Sequence, residues 1–131
     1  VTAGAAAWRR FQDPSATNVW VDFYAQVEPR AKIPAVKSTA SAAFYVNANM
    51  NLVVLDNGQW VPTAAGVVSN QWLRFTMNLD YVNKRWSLYY VPGGIPNKLA
   101  TPVRTNMVFQ PSSIGYHQSF ESVRFRDYND D

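Results

Sequence analysis

Apolar and polar residues alternate with a period of two through most of this chain. The clearest case is QWLRFTMNLDYVNKRWSLYYVPGG, Gln71 to Gly94. Leu73, Phe75, Met77 and Leu79 fall on one side, and Trp72, Arg74, Thr76 and Asn78 on the other. After a turn at Asp80 to Lys84, Trp86, Leu88 and Tyr90 alternate with Arg85, Ser87, Tyr89 and Val91 until Pro92-Gly93-Gly94 stops the run. A period of two is the signature of a half-buried strand, and this piece is predicted to be a hairpin with a continuous apolar face.

The same pattern recurs elsewhere. From Asn18 to Glu28, Val19, Val21, Phe23, Ala25 and Val27 oppose Trp20, Asp22, Tyr24 and Gln26. β-Branched and aromatic residues dominate and no capping residue precedes the run, so a strand is expected and not a helix. Ala42 to Asn47 is the next expected strand, and the Asn-rich stretch Asn47 to Asn51 turns the chain back into Leu52 to Leu55. Asn57-Gly58 is the strongest short hairpin signal and leads into Gln59-Trp60-Val61. Pro29 to Thr39 and Pro62 to Asn70 read as loops. Arg104 to Phe109 and Phe120 to Arg126 read as shorter strands, and residues 5 to 11 as a weak first one. About eight strands and no convincing amphipathic helix imply an all-β chain, an antiparallel sandwich or barrel. The length, 131 residues, is that of a single domain, with 47% hydrophobic residues to fill one core.

Composition excludes several function classes. The net charge is +3, and the twelve lysines and arginines are scattered, with no run longer than Arg9-Arg10 or Lys84-Arg85. Nucleic-acid binding is not expected from so dispersed a charge. The absence of cysteine rules out disulfides, thiolate zinc sites and cysteine nucleophiles. No apolar run has the ~18 residues of a membrane-spanning helix, so no membrane insertion is expected. The chain opens on Val1, which suggests a processed mature protein or an excised domain.

Gln71-Trp72, the alternating run, Asp80, a short basic turn, Trp86-Ser87-Leu88-Tyr89 and Gly93-Gly94 together resemble the central hairpin of concanavalin A-like, laminin G-like jelly rolls. Val19 to Tyr24 is similar to an early strand of those domains, and Ser122 to Asp127 to their closing strand. The resemblance covers roughly residues 5 to 127 and implies a two-sheet antiparallel jelly-roll sandwich. Such domains usually carry a further N-terminal strand beside the closing one. Little precedes Trp8 here, so that strand is expected to be absent, removed or supplied from elsewhere. An open edge of that kind would invite self-association.

Many sandwiches of this kind are glycoside hydrolases, which need paired carboxylates. Glu28 and Glu121 are the only glutamates, and neither has an acidic neighbour at the required spacing. His117, the sole histidine, lies in a polar loop without a nucleophile motif. No catalysis is expected. Laminin G-like and lectin-like sandwiches often bind calcium through loop Asp and Asn residues, which makes Asp56, Asp80 and Asp127 candidate ligands. For Asp56-Asn57-Gly58 a plain hairpin turn is the stronger expectation.

The aromatic residues remain. They make up 15% of the chain, with five tryptophans and seven tyrosines, more than a core of this size consumes. The C–H faces of sugars stack on such rings while polar neighbours bind the hydroxyls. Two candidate surfaces emerge. Trp60 with Asn57 and Gln59 follows the hairpin turn; Trp20, Tyr24, Trp72 and Arg74 lie on outward strand positions, with Tyr89 pointing away from Trp86 and Leu88. The competing expectation is that Trp20, Trp72 and, most strongly, Trp86 fill the core or cover an edge. The expected function is therefore a carbohydrate-binding or adhesion module of a secreted or cell-surface bacterial protein, with a polysaccharide or glycan as partner. The alternative is a structural subunit of an extracellular fibre or surface layer joined by strand pairing, and the segment Val1 to Phe11 decides between them by pairing within its own chain or in a neighbour.

Overall fold

The alternating runs become strands of two antiparallel sheets that share one core. The computed structural model describes residues 6–10, 15–92, 99–116 and 119–123. Among them are nine strands: β1 (Ala6–Arg10), β2 (Asn18–Gln26), β3 (Phe44–Val46), β4 (Asn51–Asp56), β5 (Gln59–Gly66), β6 (Trp72–Asp80), β7 (Arg85–Val91), β8 (Thr101–Val108) and β9 (Ser119–Val123). No α-helix occurs among the described residues. A four-stranded sheet runs in the order β2-β6-β7-β8, and a three-stranded sheet in the order β3-β4-β5. Neither closes into a barrel.

The alternation places the apolar side of each strand inward. Leu73, Phe75, Met77 and Leu79 of β6, with Trp86 and Leu88 of β7, meet Val46 of β3 and Leu52 and Val54 of β4. Phe44 of β3 sits 5.1 Å from Phe75 of β6, and Phe23 of β2 is 5.6 Å from Phe75. The two sheets are therefore in direct contact, in a sandwich-like arrangement. β4 is buried along its length from Leu52 to Leu55, as befits the central strand of its sheet. Trp86 is 1% exposed, and its indole N–H donates to the Leu55 carbonyl of the facing sheet at 2.9 Å.

The strand expected over Ala42 to Asn47 is shorter, Phe44–Val46, and the one expected from Asn18 to Glu28 ends at Gln26, while two others run past their expected bounds. Residues 62–66 are strand and not loop, because β5 continues through Pro62 to Gly66. β5 lies at the edge of its sheet, where a proline costs no ladder bond on the open side. The pairing shifts register between Asn51 and Val53, and the Thr63 hydroxyl donates to the Leu52 carbonyl at 2.7 Å within that irregular stretch. β8 likewise begins at Thr101, ahead of Arg104, with Pro102 inside an edge strand. Its pairing with β7 is interrupted by two register shifts, and Asn106 takes a left-handed φ of 58°.

β1 and β9 form a separate antiparallel pair, with Ala6 opposite Val123 and Arg10 opposite Ser119. The closing strand thus has an N-terminal neighbour from its own chain. Phe120 to Val123 of the expected last strand falls in β9, and residues 124–126 lie outside the described ones.

Candidate functional site

The outward side of the four-stranded sheet gathers five of the eight candidate binding residues. Antiparallel register sets Trp20 opposite Asn78, Asp22 opposite Thr76, Tyr24 opposite Arg74 and Gln26 opposite Trp72. One strand further, Thr76 lies opposite Tyr89 and Asn78 opposite Ser87. Because side chains alternate strictly, all of these share one face. Trp20 is 61% exposed, Tyr24 62% and Trp72 60%, so the expectation that Trp20 and Trp72 fill the core does not hold. Trp86, by contrast, is a core residue. The Tyr89 ring lies 6.4 Å from that of Trp20 at an interplanar angle of 31°.

A fixed polar network runs between the rings. The Arg74 guanidinium donates through Nε at 3.0 Å to Oδ1 of Asp22 and through Nη2 at 2.6 Å to Oδ2. The Thr76 hydroxyl donates to Oδ1 at 2.8 Å. These donors, Arg74 foremost, hold the Asp22 carboxyl below its ordinary range despite some opposing desolvation. In the neighbouring row the Asn78 amide donates to Asn18 Oδ1 at 2.6 Å. Thr76, Asn78 and Asn18 were not singled out from the sequence. The alternation that turns Trp72 and Arg74 outward also turns Thr76 and Asn78 outward, but only the β2–β6 register reveals their partners.

The remaining three candidates sit on the other sheet. Asn57 and Gly58 adopt φ of 51° and 76°, the left-handed pair of a two-residue hairpin turn between β4 and β5. The Asn57 N–H donates to the Val108 carbonyl at 2.9 Å, and Gln59 is exposed. Trp60 is half-buried and meets Tyr45 edge to face at 5.0 Å. This tryptophan presents less free ring surface than Trp20 or Trp72.

Of the candidate metal ligands, Asp56 accepts from the Val108 N–H at 2.8 Å and pairs with Arg104 at 3.1 Å, tying β4 to β8. Asp80 accepts from the N–H groups of Val82 and Asn83, each at 3.0 Å, and from the Asn83 side chain at 2.7 Å. The Asn83 N–H is the main reason its carboxyl is held below the usual range. Both carboxylates are thus occupied in organising a strand junction and a turn. Asp127 and His117 lie outside the described residues. Among the described residues no cluster of three or more His, Cys, Asp or Glu side chains is arranged to hold a metal ion. In comparison with known proteins, no family model, no curated protein and no solved structure matches this chain.

Proposed function

We propose that this chain is a non-catalytic glycan-binding module of a secreted or cell-surface protein, and that its site is the outward face of β2, β6 and β7. One observation carries the reading: Trp20, Tyr24 and Trp72 are each about three-fifths exposed on a single sheet face, around the hydrogen-bonded Asp22–Arg74–Thr76 network. Large aromatic rings concentrated on one exposed face mark interaction surfaces on soluble proteins. Rings interleaved with fixed donors and acceptors suit a ligand that is itself two-sided. A pyranose has an apolar C–H face to stack on indole or phenol and an equatorial rim of hydroxyls to bond the polar row. The finer assignment of the sandwich to a concanavalin A-like jelly roll rests on the hairpin motif from Trp72 to Tyr89 and belongs to the same proposal.

Electrophoresis through gels containing soluble polysaccharides tests the reading. Retardation by at least one polysaccharide is expected, reduced by Trp20→Ala and by Trp72→Ala and little changed by Trp60→Ala. Retardation abolished only by Trp60→Ala would move the site to the β4–β5 hairpin. Absence of retardation in every gel would sink the glycan reading. The same gels run with a chelator test whether binding requires calcium.

A further inference from the structure

We infer that the outward face takes an uncharged, extended polysaccharide, held along the middle of its chain across two aromatic platforms. The inference rests on the glycan reading and specifies its ligand class. Two observations carry it, one of charge and one of spacing.

The basic composition points by itself toward acidic glycans, since the chain carries a net charge of +3. The face contradicts that guess. Arg74 spends its Nε and Nη2 edge on the Asp22 carboxylate. Arg85, at the end of the same face, lies opposite Asp80 in the β6–β7 register. Among the described residues, the outward charges of β2, β6 and β7 are Asp22, Asp80, Arg74 and Arg85, two of each sign, so this part of the face carries no net charge to attract a polyanion. The Asp22 carboxylate would in addition repel a uronate or sulfate placed on the rings next to it. The outer Nη1 edge of Arg74 makes no contact with Asp22, which leaves its N–H groups to donate to neutral hydroxyls.

Spacing sets the length. Trp20 and Tyr24 are four residues apart on β2 and face the same way, which at ~3.3 Å per residue separates them by about 13 Å. Tyr89, on β7 in the row of Asp22 and Thr76, widens the Trp20 platform across the sheet, with its ring 6.4 Å away. Trp72 extends the other end, diagonal to Tyr24, which pairs with Arg74 two residues further along β6. Asp22, with Thr76 opposite it, lies between Trp20 and Tyr24 along β2. One sugar ring covers one platform and no more, so a ligand that uses both must be a run of linked sugars. Among the described residues, Trp20 and Trp72 at the two ends are each about three-fifths exposed, so the glycan chain can continue past both.

The test is calorimetric titration of the intact chain with neutral polysaccharides (mixed-linkage β-glucan, glucomannan, xyloglucan) and acidic ones (alginate, polygalacturonate), at low and high salt. Oligosaccharides of one to six sugars, cut from whichever polymer binds, follow. The expected result is binding to a neutral polymer that salt leaves unchanged, with at least a roughly tenfold gain from monosaccharide to hexasaccharide. Trp20→Ala and Trp72→Ala should each weaken the hexasaccharide roughly tenfold, by analogy with stacking of bases on aromatic side chains. Trp20→Tyr and Trp72→Tyr should retain most of the binding, which a purely structural role would not predict. Binding to acidic polymers alone, abolished by salt and indifferent to both tryptophans, would overturn the inference and place glycan binding elsewhere. Neutral binding in which a monosaccharide matches the hexasaccharide would overturn the two-platform ligand while leaving the glycan reading intact. No binding to any polymer would remove the glycan reading, and this inference with it.

Discussion

Replacing Trp86 by Phe removes two things at once. The indole N–H is the donor to the Leu55 carbonyl at 2.9 Å, in a site where Trp86 and Leu55 are each 1% exposed. The Leu55 N–H donates to the Ala43 carbonyl at 2.9 Å, which anchors this stretch of backbone and holds the Leu55 carbonyl where it is. A buried carbonyl left without its donor costs about 1–2 kcal/mol. The smaller ring also gives up two buried carbons, worth about 1.5 kcal/mol in lost transfer energy. Together these come to about 3 kcal/mol. With an m-value of about 1.5–2 kcal/mol/M in urea, the unfolding midpoint should fall by about 1.5–2 M. Urea unfolding followed by far-ultraviolet circular dichroism measures it, and m should not change. Trp20→Phe is the matched control on the exposed face and should shift stability by less than about 0.5 kcal/mol. A Trp86→Phe shift below about 0.5 M would refute the argument that the indole hydrogen bond joins the two sheets. So would a Trp20→Phe shift of equal size.

Gly58→Ala forces a side chain onto a φ of +76° and places its Cβ 3.3 Å from Pro111 Cδ. It should cost about 1–2 kcal/mol and lower Tm by about 3–6 °C, and an unchanged Tm in a thermal melt would mean a different turn. Asp56→Ala should cost about 1–2 kcal/mol by stranding the Val108 N–H. Arg104→Ala should cost only about 0.5 kcal/mol, and equal losses in urea would show the ion pair to be the main tie. Asp22→Asn should lower Tm at neutral pH. The folded pKa of Asp22 is lowered, so its contribution is complete above the ordinary carboxylate range and fades as pH falls through the lowered value. The Tm gap between wild type and variant should therefore close on acidification, and a gap that stays constant would exclude an ionic origin.

The strands were legible wherever a period of two ran uninterrupted. Trp72 to Leu79 was expected as a strand and is one, and Asn57-Gly58 is the left-handed hairpin pair it signalled. Proline hid the rest. Pro62 and Pro102 both sit inside strands, because each strand lies at a sheet edge and edge position is a tertiary property. The candidate face was legible as a set of outward side chains. Their exposure was not, since an outward residue on one sheet can be covered by another layer. Parity sets Trp20 and Trp72 on the polar side of their runs and Trp86 on the apolar side of its own, but parity alone does not give exposure. The Asp22–Arg74–Thr76 contact joins positions more than fifty residues apart in sequence, and only strand register brings them together. The roles of Asp56 at β8 and of Asp80 in its turn depend on the same kind of placement.

The geometry of the outward face is fixed by the face that cannot be seen. A one-residue slip of β2 against β6 would send Val21 and Phe23 to the outside and Trp20 and Tyr24 into the core. Phe23, Phe44 and Phe75 pack together across the two sheets and oppose that slip. The outward rings thus inherit their spacing from the core while contributing little to it. Substituting Trp20 or Trp72 should leave register and stability nearly intact, because each ring is mostly in water. Loss of glycan binding in those variants would then report on the rings themselves. In a variant such as Phe75→Ala, by contrast, a cavity of several kcal/mol and a displaced strand would confound any binding measurement. The separation between an inner face that sets the geometry and an outer face that presents it is what lets single substitutions distinguish a binding surface from a structural one.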